Sequence, residues 1–313
     1  MNNENIGKSA GFPDALGRRL PNFLVIGAPK SGTTSLYYYL KQHPEVFLPV
    51  QKELHYFSYE QLCESGKGPG DAQVLGSLCA NIGAYGRHFA AAKSEKAIGD
   101  ISPSYLYYGA QDRIKAELGQ VKIVAMLRNP NEKAFSQYMH MVRDQREPLS
   151  FYDALMAEEG RRLAGWSDIW RYAESSLYAD RLQAYIECFG KENVHVILFD
   201  QFIAEPQVVM KKLLLFLGVD DAVKIDTDEA YNRTGEAKSK TIANVFNQPN
   251  PIKSVIKKIT PDAWRIALRL KIMDANTAAK PDVDERAAAY LRNYFANDVI
   301  KLEAILGRGL NWG

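Results

Sequence analysis

Four consecutive apolar residues, Phe23-Leu24-Val25-Ile26, run directly into Gly27-Ala28-Pro29-Lys30-Ser31-Gly32-Thr33-Thr34-Ser35. No other stretch restricts the fold of this chain as much. A short, uninterrupted apolar run is how a strand buried on both faces reads. The Gly/Pro/Ser turn ends the strand, and Thr33 to Gln42 reads as a helix stopped before Pro44. Strand, glycine-bearing turn and helix, in that order, are the context of a phosphate-binding loop. Gly27 and Gly32 permit close backbone approach. Successive N–H groups then face an anion, helped by the helix N-terminus. Lys30 and the hydroxyls of Thr33 and Thr34 add donors. The plainer alternative is a strand–turn–helix joint with capping hydroxyls.

The alternation continues along the chain. Val46 to Leu48 reads as a short strand, Val121 to Leu127 as a second clear buried strand, and Val194 to Phe199 as a third. Helices are expected from Pro130 towards Arg143, over Tyr178 to Phe189, and over Pro206 to Leu217, closed by Gly218. Ser102 reads as an N-cap and Pro103 as a first helical residue. Residues 60–85 are Gly-rich and read as irregular. This alternation predicts an α/β fold of the P-loop type, three layers with a central parallel sheet and helices on both faces. Residues 1–20 read as a flexible arm and residues 21–313 as one domain.

A chain of 313 residues, 46% apolar and 24% charged, builds a core without disulfide or metal. Its three cysteines, Cys63, Cys79 and Cys188, lack any CxxC spacing. They fit a reducing compartment rather than a disulfide framework or structural zinc. The 39 basic and 37 acidic residues leave a net charge of +2, which gives no case for a nucleic-acid partner. The first 20 residues carry no apolar targeting segment, and no run approaches the ~18 residues of a membrane span. The expected location is cytoplasmic.

The loop departs from G-x-x-x-x-G-K-[ST] in one respect. Thr33 stands where the lysine belongs, and the lysine comes earlier, at Lys30. This disfavours the usual Mg²⁺–triphosphate arrangement. Read as P-K-x-G-T-T, Pro29 to Thr34 resembles the 5′-phosphosulfate loop of the sulfotransferase family, in its bacterial and heparan-sulfate-type branch. Members of that family use 3′-phosphoadenosine 5′-phosphosulfate (PAPS). The resemblance implies donor contacts from Lys30, Ser31, Gly32, Thr33, Thr34 and Ser35.

PAPS carries a second phosphate, which needs its own cationic site. Leu127-Arg128-Asn129-Pro130, followed by Ala134-Phe135-Ser136-Gln137-Tyr138, is similar to the family's L-R-[ND]-P…A-[FY]-S-x-[YF] pattern. That likeness implies a 3′-phosphate clamp of Arg128 and Ser136. By the residues alone, Arg128 reads equally as a strand-end ion-pair partner and Ser136 as a helix-surface serine.

Sulfuryl transfer to a hydroxyl needs a base for the acceptor proton and a cation for the leaving oxygen. Gln51-Lys52-Glu53-Leu54-His55-Tyr56-Phe57 resembles the K-E-P-H-[FY]-F motif, whose glutamate is the catalytic base, with Leu54 in place of proline. The resemblance implies Glu53 as base, with His55 beside it in catalysis and acceptor binding. Lys30 is assigned to the leaving oxygen. If the segment is extended, Glu53, His55 and Phe57 share one side. Without the flanking motifs, the same residues read as a surface Lys–Glu pair and a loop-packing histidine.

The resemblance implies two further site segments, each beside a plainer reading, and composition picks out a third feature. Asp100, in Gly99-Asp100-Ile101-Ser102-Pro103, lines the acceptor cleft or merely begins a helix. Tyr231 and Lys238 stack on adenine and reach a phosphate, or belong to a surface loop. Residues 252–273 hold six basic residues against the single acid Asp262. They offer a peripheral membrane contact or, more plainly, a packed helical pair with a solvated basic face. No histidine spacing suits a metal, and no metal is required. The expected activity is PAPS-dependent sulfuryl transfer to an acceptor hydroxyl on a glycan, a lipid or another small molecule. The rivals are an Mg²⁺-dependent kinase of a nucleotide or small molecule, and a non-catalytic anion- or membrane-binding protein. Acceptor identity and oligomeric state are not legible.

Overall fold

Five parallel strands form one sheet in the computed structural model, which describes Gly17, residues 19–228 and residues 282–312. They are β1 (Phe23–Gly27), β2 (Val46–Phe47), β3 (Ala97–Ile101), β4 (Lys122–Leu127) and β5 (Val194–Leu198). Their order is β2-β3-β1-β4-β5. Leu24 pairs with Asp100 on one side and Ile123 on the other.

Alternation of side chains builds the three layers. Leu24, Ile26, Ile123, Ala125 and Leu127 enter one core with Tyr105, Leu182 and Tyr185. Phe23, Val25, Val124 and Met126 enter the other with Leu36, Leu40, Leu213 and Leu214. The expected sheet with helices on both faces is therefore present. A third cluster joins Phe135, Phe151, Trp170 and Phe295 beside the sheet.

The helices Thr33–Leu40, Pro130–Arg143, Ala179–Phe189 and Pro206–Leu217 lie where the sequence places them. Three local readings change. First, β3 is a buried strand that the sequence pattern concealed, because Gly99 and Asp100 interrupt its apolar run. Second, residues 60–85 are not irregular throughout. They hold short helices at Tyr59–Ser65, Asp71–Leu75 and Ile82–Arg87. Third, the helix after β3 is Ser104–Tyr108 with Pro103 at its cap position, and Ser102 does not cap it. The Ser102 hydroxyl instead donates to Asp100 Oδ1 at 2.9 Å.

Among the described residues, no helix is long and apolar enough to cross a membrane. No group of His, Cys, Asp and Glu among them could hold a metal ion.

Candidate active site

Ligands of open parallel sheets bind outside the carboxyl ends of the strands, where the strand order reverses. Here that edge opens into a cleft of about 760 Å³. Thr33 and Thr34 line it from the loop after β1, Ser104 from β3, Arg128 and Ser136 from β4, and Phe199 from β5. Glu53 and His55 line it from the segment after β2.

The phosphate loop is built as its sequence requires. Gly32 has φ +90° and caps Thr33–Leu40 without a side-chain hydrogen bond, so the helix N-terminus stays open to an anion. A Cβ on Gly32 would also press on the Phe199 ring at 3.1 Å. Lys30 takes φ +64°, a conformation side chains rarely adopt. Burial, aided by Arg143, lowers its ammonium pKa to about 8. Ser31 differs from expectation. Its side chain is fully buried and is not part of the cleft lining.

Lys52, to which the motif assigns no role, links the loop to Glu53. Its ammonium donates to Thr33 Oγ1 and Thr34 Oγ1, each at 3.2 Å, and to Glu53 Oε1 at 2.9 Å. It thereby ties the candidate base to the loop. Burial alone would raise the Glu53 pKa, but Lys52, His55 and Lys30 outweigh it and hold the carboxyl at about 2.

The segment carrying this pair is not extended. Glu53 has φ +63° and His55 φ +53°. Phe57 accordingly turns into the core rather than sharing their side. Glu53 and His55 still meet in the cleft, with His55 Nε2 3.8 Å from Glu53 Oε2. Burial lowers the His55 pKa, against the pull of Glu53. Its Nδ1 lies 2.6 Å from Ser104 Oγ.

Arg128 is the ion-pair partner of its plainer reading, and it also lines the cleft. It pairs with Glu132 Oε2 at 2.7 Å, and its Nη1 donates to the Lys30 carbonyl at 3.3 Å. Its guanidinium sits 4.5 Å from the Phe199 ring centroid. Ser136 lies one helical face away, almost fully buried yet on the cleft wall.

Asp100 is a correction. It is fully buried and does not line the cleft. Tyr105, Ser102 and Tyr85 donate to it at 2.6, 2.9 and 3.1 Å. Burial nevertheless raises its pKa to about 6. It is a structural anchor under the site, not a substrate contact. Tyr231, Lys238 and the 252–273 stretch lie outside the described residues. In the stretch that carries Asp100 it is Pro103 and Ser104 that line the cleft, and the sequence reading also missed Arg146 and Asp168, which line it from segments without a motif.

The sulfotransferase family model matches residues 21–222, which hold the whole sheet and every described site residue above. The chain belongs to the sulfotransferase family. It is 33% identical to the crystal structure of a sulfotransferase from Alicyclobacillus acidocaldarius, covering 94% of this chain and 98% of that one, with a TM-score of 0.75. It is 33% identical over 150 residues to the membrane-associated sulfotransferase kil1 of Dictyostelium discoideum, covering 45% of this chain and 28% of that protein. Over 297 residues it is 22% identical to human heparan sulfate glucosamine 3-O-sulfotransferase 5, covering 94% of this chain and 75% of the relative. The chain thus spans under a third of the length of kil1 and three quarters of the human relative. Membership of this family does not favour the kinase rival.

Proposed function

We propose that this chain transfers a sulfuryl group from PAPS to an acceptor hydroxyl, with Glu53 as base. The observation that supports this reading is one cleft lined by the phosphate loop, by Arg128 with Ser136, and by the Glu53 carboxylate. In this reading the loop with Lys30 and Lys52 takes one anion, and Arg128 with Ser136 takes a second. The donor supplies an activated sulfuryl group on a phosphate leaving group. The open N-terminus of Thr33–Leu40, with Lys30, Thr33 and Thr34, suits its 5′-phosphosulfate. The guanidinium fork of Arg128 suits its 3′-phosphate. Phe199 beside Arg128 offers a face for an aromatic base.

Glu53 accepts the hydroxyl proton of the acceptor. Its low pKa in the free protein depends on Lys52 and Lys30. An anion bound at the loop competes for the same two ammonium groups, which raises the basicity of Glu53 when donor is present. Lys30, positioned at the loop, stabilises the negative charge left on the phosphate oxygen.

Calorimetric titration without Mg²⁺ tests the donor assignment. Adenosine 3′,5′-bisphosphate should bind about 10- to 100-fold more tightly than 5′-AMP, the worth of one charged hydrogen-bonded contact. Arg128→Ala should remove that preference. Equal affinity for the two nucleotides would sink the reading.

A further inference from the structure

Donor binding accounts for the loop and Arg128 side of the cleft and leaves the opposite side unassigned. There the lining passes to Leu62, Val74 and Leu75, on the Tyr59–Ser65 and Asp71–Leu75 helices, and to Asp168 and Ile169. Asp71 binds these segments into one wall by accepting from Gly68 N at 2.9 Å, Ser167 N at 3.2 Å and Trp170 Nε1 at 3.1 Å. The wall is preformed, and Val74, 41% exposed, shows an apolar side chain to solvent at its edge.

Its charges run against an anionic acceptor. Arg146 is the arginine on this wall, and its charge is engaged. Nη2 donates to Asp71 Oδ1 at 2.6 Å, Nε donates to the Pro69 carbonyl at 2.8 Å, and the guanidinium lies over the Trp170 ring. Asp168 contributes a carboxylate held by the Tyr108 hydroxyl at 3.1 Å. Glu53 contributes another. His140 lies against Arg143 and Asp144. Among the described residues that line this half of the cleft, the one lysine or arginine is the paired Arg146, and the exposed Lys67 between the two helices lies outside the lining. A sulfated or carboxylated polymer needs several unpaired cationic groups to be held. An apolar body needs the surface that Leu62, Val74, Leu75 and Ile169 provide.

We infer, resting on the proposed sulfuryl transfer, that the acceptor is an uncharged alcohol or phenol carried on an apolar body, not a polyanionic glycan. The acceptor oxygen forms the new O–S bond as the bond from sulfur to the bridging phosphate oxygen breaks. The electron pair of the broken bond leaves on the phosphate of adenosine 3′,5′-bisphosphate, and the hydroxyl proton passes to Glu53.

Transfer from radiolabelled PAPS by the full chain is measured for para-alkylphenols with methyl to pentyl substituents, and for heparosan, a carboxylated glycan. The phenols are expected to be sulfated, with kcat/KM rising roughly threefold per methylene, a little under the gain for full burial. Val74→Asp, at an exposed side chain, should flatten that series while leaving bisphosphate affinity and melting temperature unchanged, and Ile169→Ala should flatten it with bisphosphate affinity unchanged. Transfer to heparosan alone, a flat series in the wild-type protein, or bisphosphate binding without transfer to either probe overturns the inference and leaves the donor assignment standing. Failure of the wild-type protein to bind the bisphosphate overturns the sulfotransferase reading, and this inference with it.

Discussion

Lys30, Lys52 and Glu53 together set the charge of the cleft, and each has a measurable consequence. Lys30 is cationic below its pKa of about 8 and neutral above it. A bound anion favours the charged form, so affinity for the bisphosphate should be flat to about pH 8 and fall as the pH rises further. Lys30→Arg keeps its charge across that range and should remove the fall. A wild-type profile level to pH 10 would show that Lys30 does not touch the phosphate. Glu53 titrates near 2, so it contributes no acid limb to kcat/KM between pH 5 and 8. Glu53→Gln removes the proton acceptor but keeps the shape. Single-turnover transfer should slow by about 10²- to 10⁴-fold. Bisphosphate affinity should hold or rise, because the variant no longer competes for Lys52. Transfer within tenfold of the wild-type rate would remove Glu53 from the role of base.

At the scale of elements, the unusual piece is the Lys52–His55 crossing, with left-handed backbone at two non-glycine positions. Such residues cost about 1–3 kcal/mol each and persist only where surroundings impose them. Here Glu53 N donates to the Ile101 carbonyl and His55 N to Ser102 Oγ, both at 3.1 Å. Cys79 N donates to the Leu54 carbonyl at 3.1 Å, and the Leu54 side chain is fully buried. Leu54, where the similar motif has proline, is thus fixed by its packing and by the bond to its carbonyl. Ser102→Ala should cost about 1 kcal/mol of stability and lower kcat more than it raises KM. Unchanged kcat would show that the segment is held without Ser102. These anchors also explain what the sequence hid. β1 and β4 are legible because apolar runs mark strands buried on both faces, and β5, a half-buried edge strand, because its run is apolar but for His195. β3 is not. Gly99 is there because a Cβ would lie 2.1 Å from the Phe23 ring, and Asp100 because three hydroxyls satisfy it. Both are tertiary reasons. Lys30, Glu53 and Arg128 are legible from motifs. Lys52 is not legible, because alternation in an extended chain sets neighbours on opposite sides, whereas here the Lys52 ammonium reaches Glu53 and both loop hydroxyls.

At the scale of the whole molecule, the family match ends at residue 222, yet the described chain closes with the helix Glu285–Leu306 packed against the body. Leu291 and Phe295 enter the cluster of Phe135 and Trp170, and Trp312 Nε1 donates to Asp200 at 3.2 Å. The contact with most reach is Asp298. Its carboxylate accepts from Tyr178 N at 2.8 Å and Ala179 N at 3.0 Å. These are the first N–H groups of Ala179–Phe189, a helix whose cap residue, Tyr178, supplies no side-chain bond. The cap therefore comes from the far end of the chain. Asp298→Ala leaves both N–H groups buried without that acceptor and should cost about 1–2 kcal/mol, the range of a lost N-cap. In a chain this long, that lowers the melting temperature by about 2–4 °C or somewhat less. Asp298→Asn keeps one acceptor oxygen and should lose about half as much. Arg128 keeps its bonds to Glu132 and the Lys30 carbonyl in both variants, so bisphosphate affinity should change less than about threefold, although Tyr178 lies beside it. Thermal melts and titrations on the same samples separate the two effects. A melting temperature equal to wild type in Asp298→Ala would mean that the terminal helix docks through its apolar face alone. A large loss of affinity would mean that the cap also sets the position of the 3′-phosphate clamp.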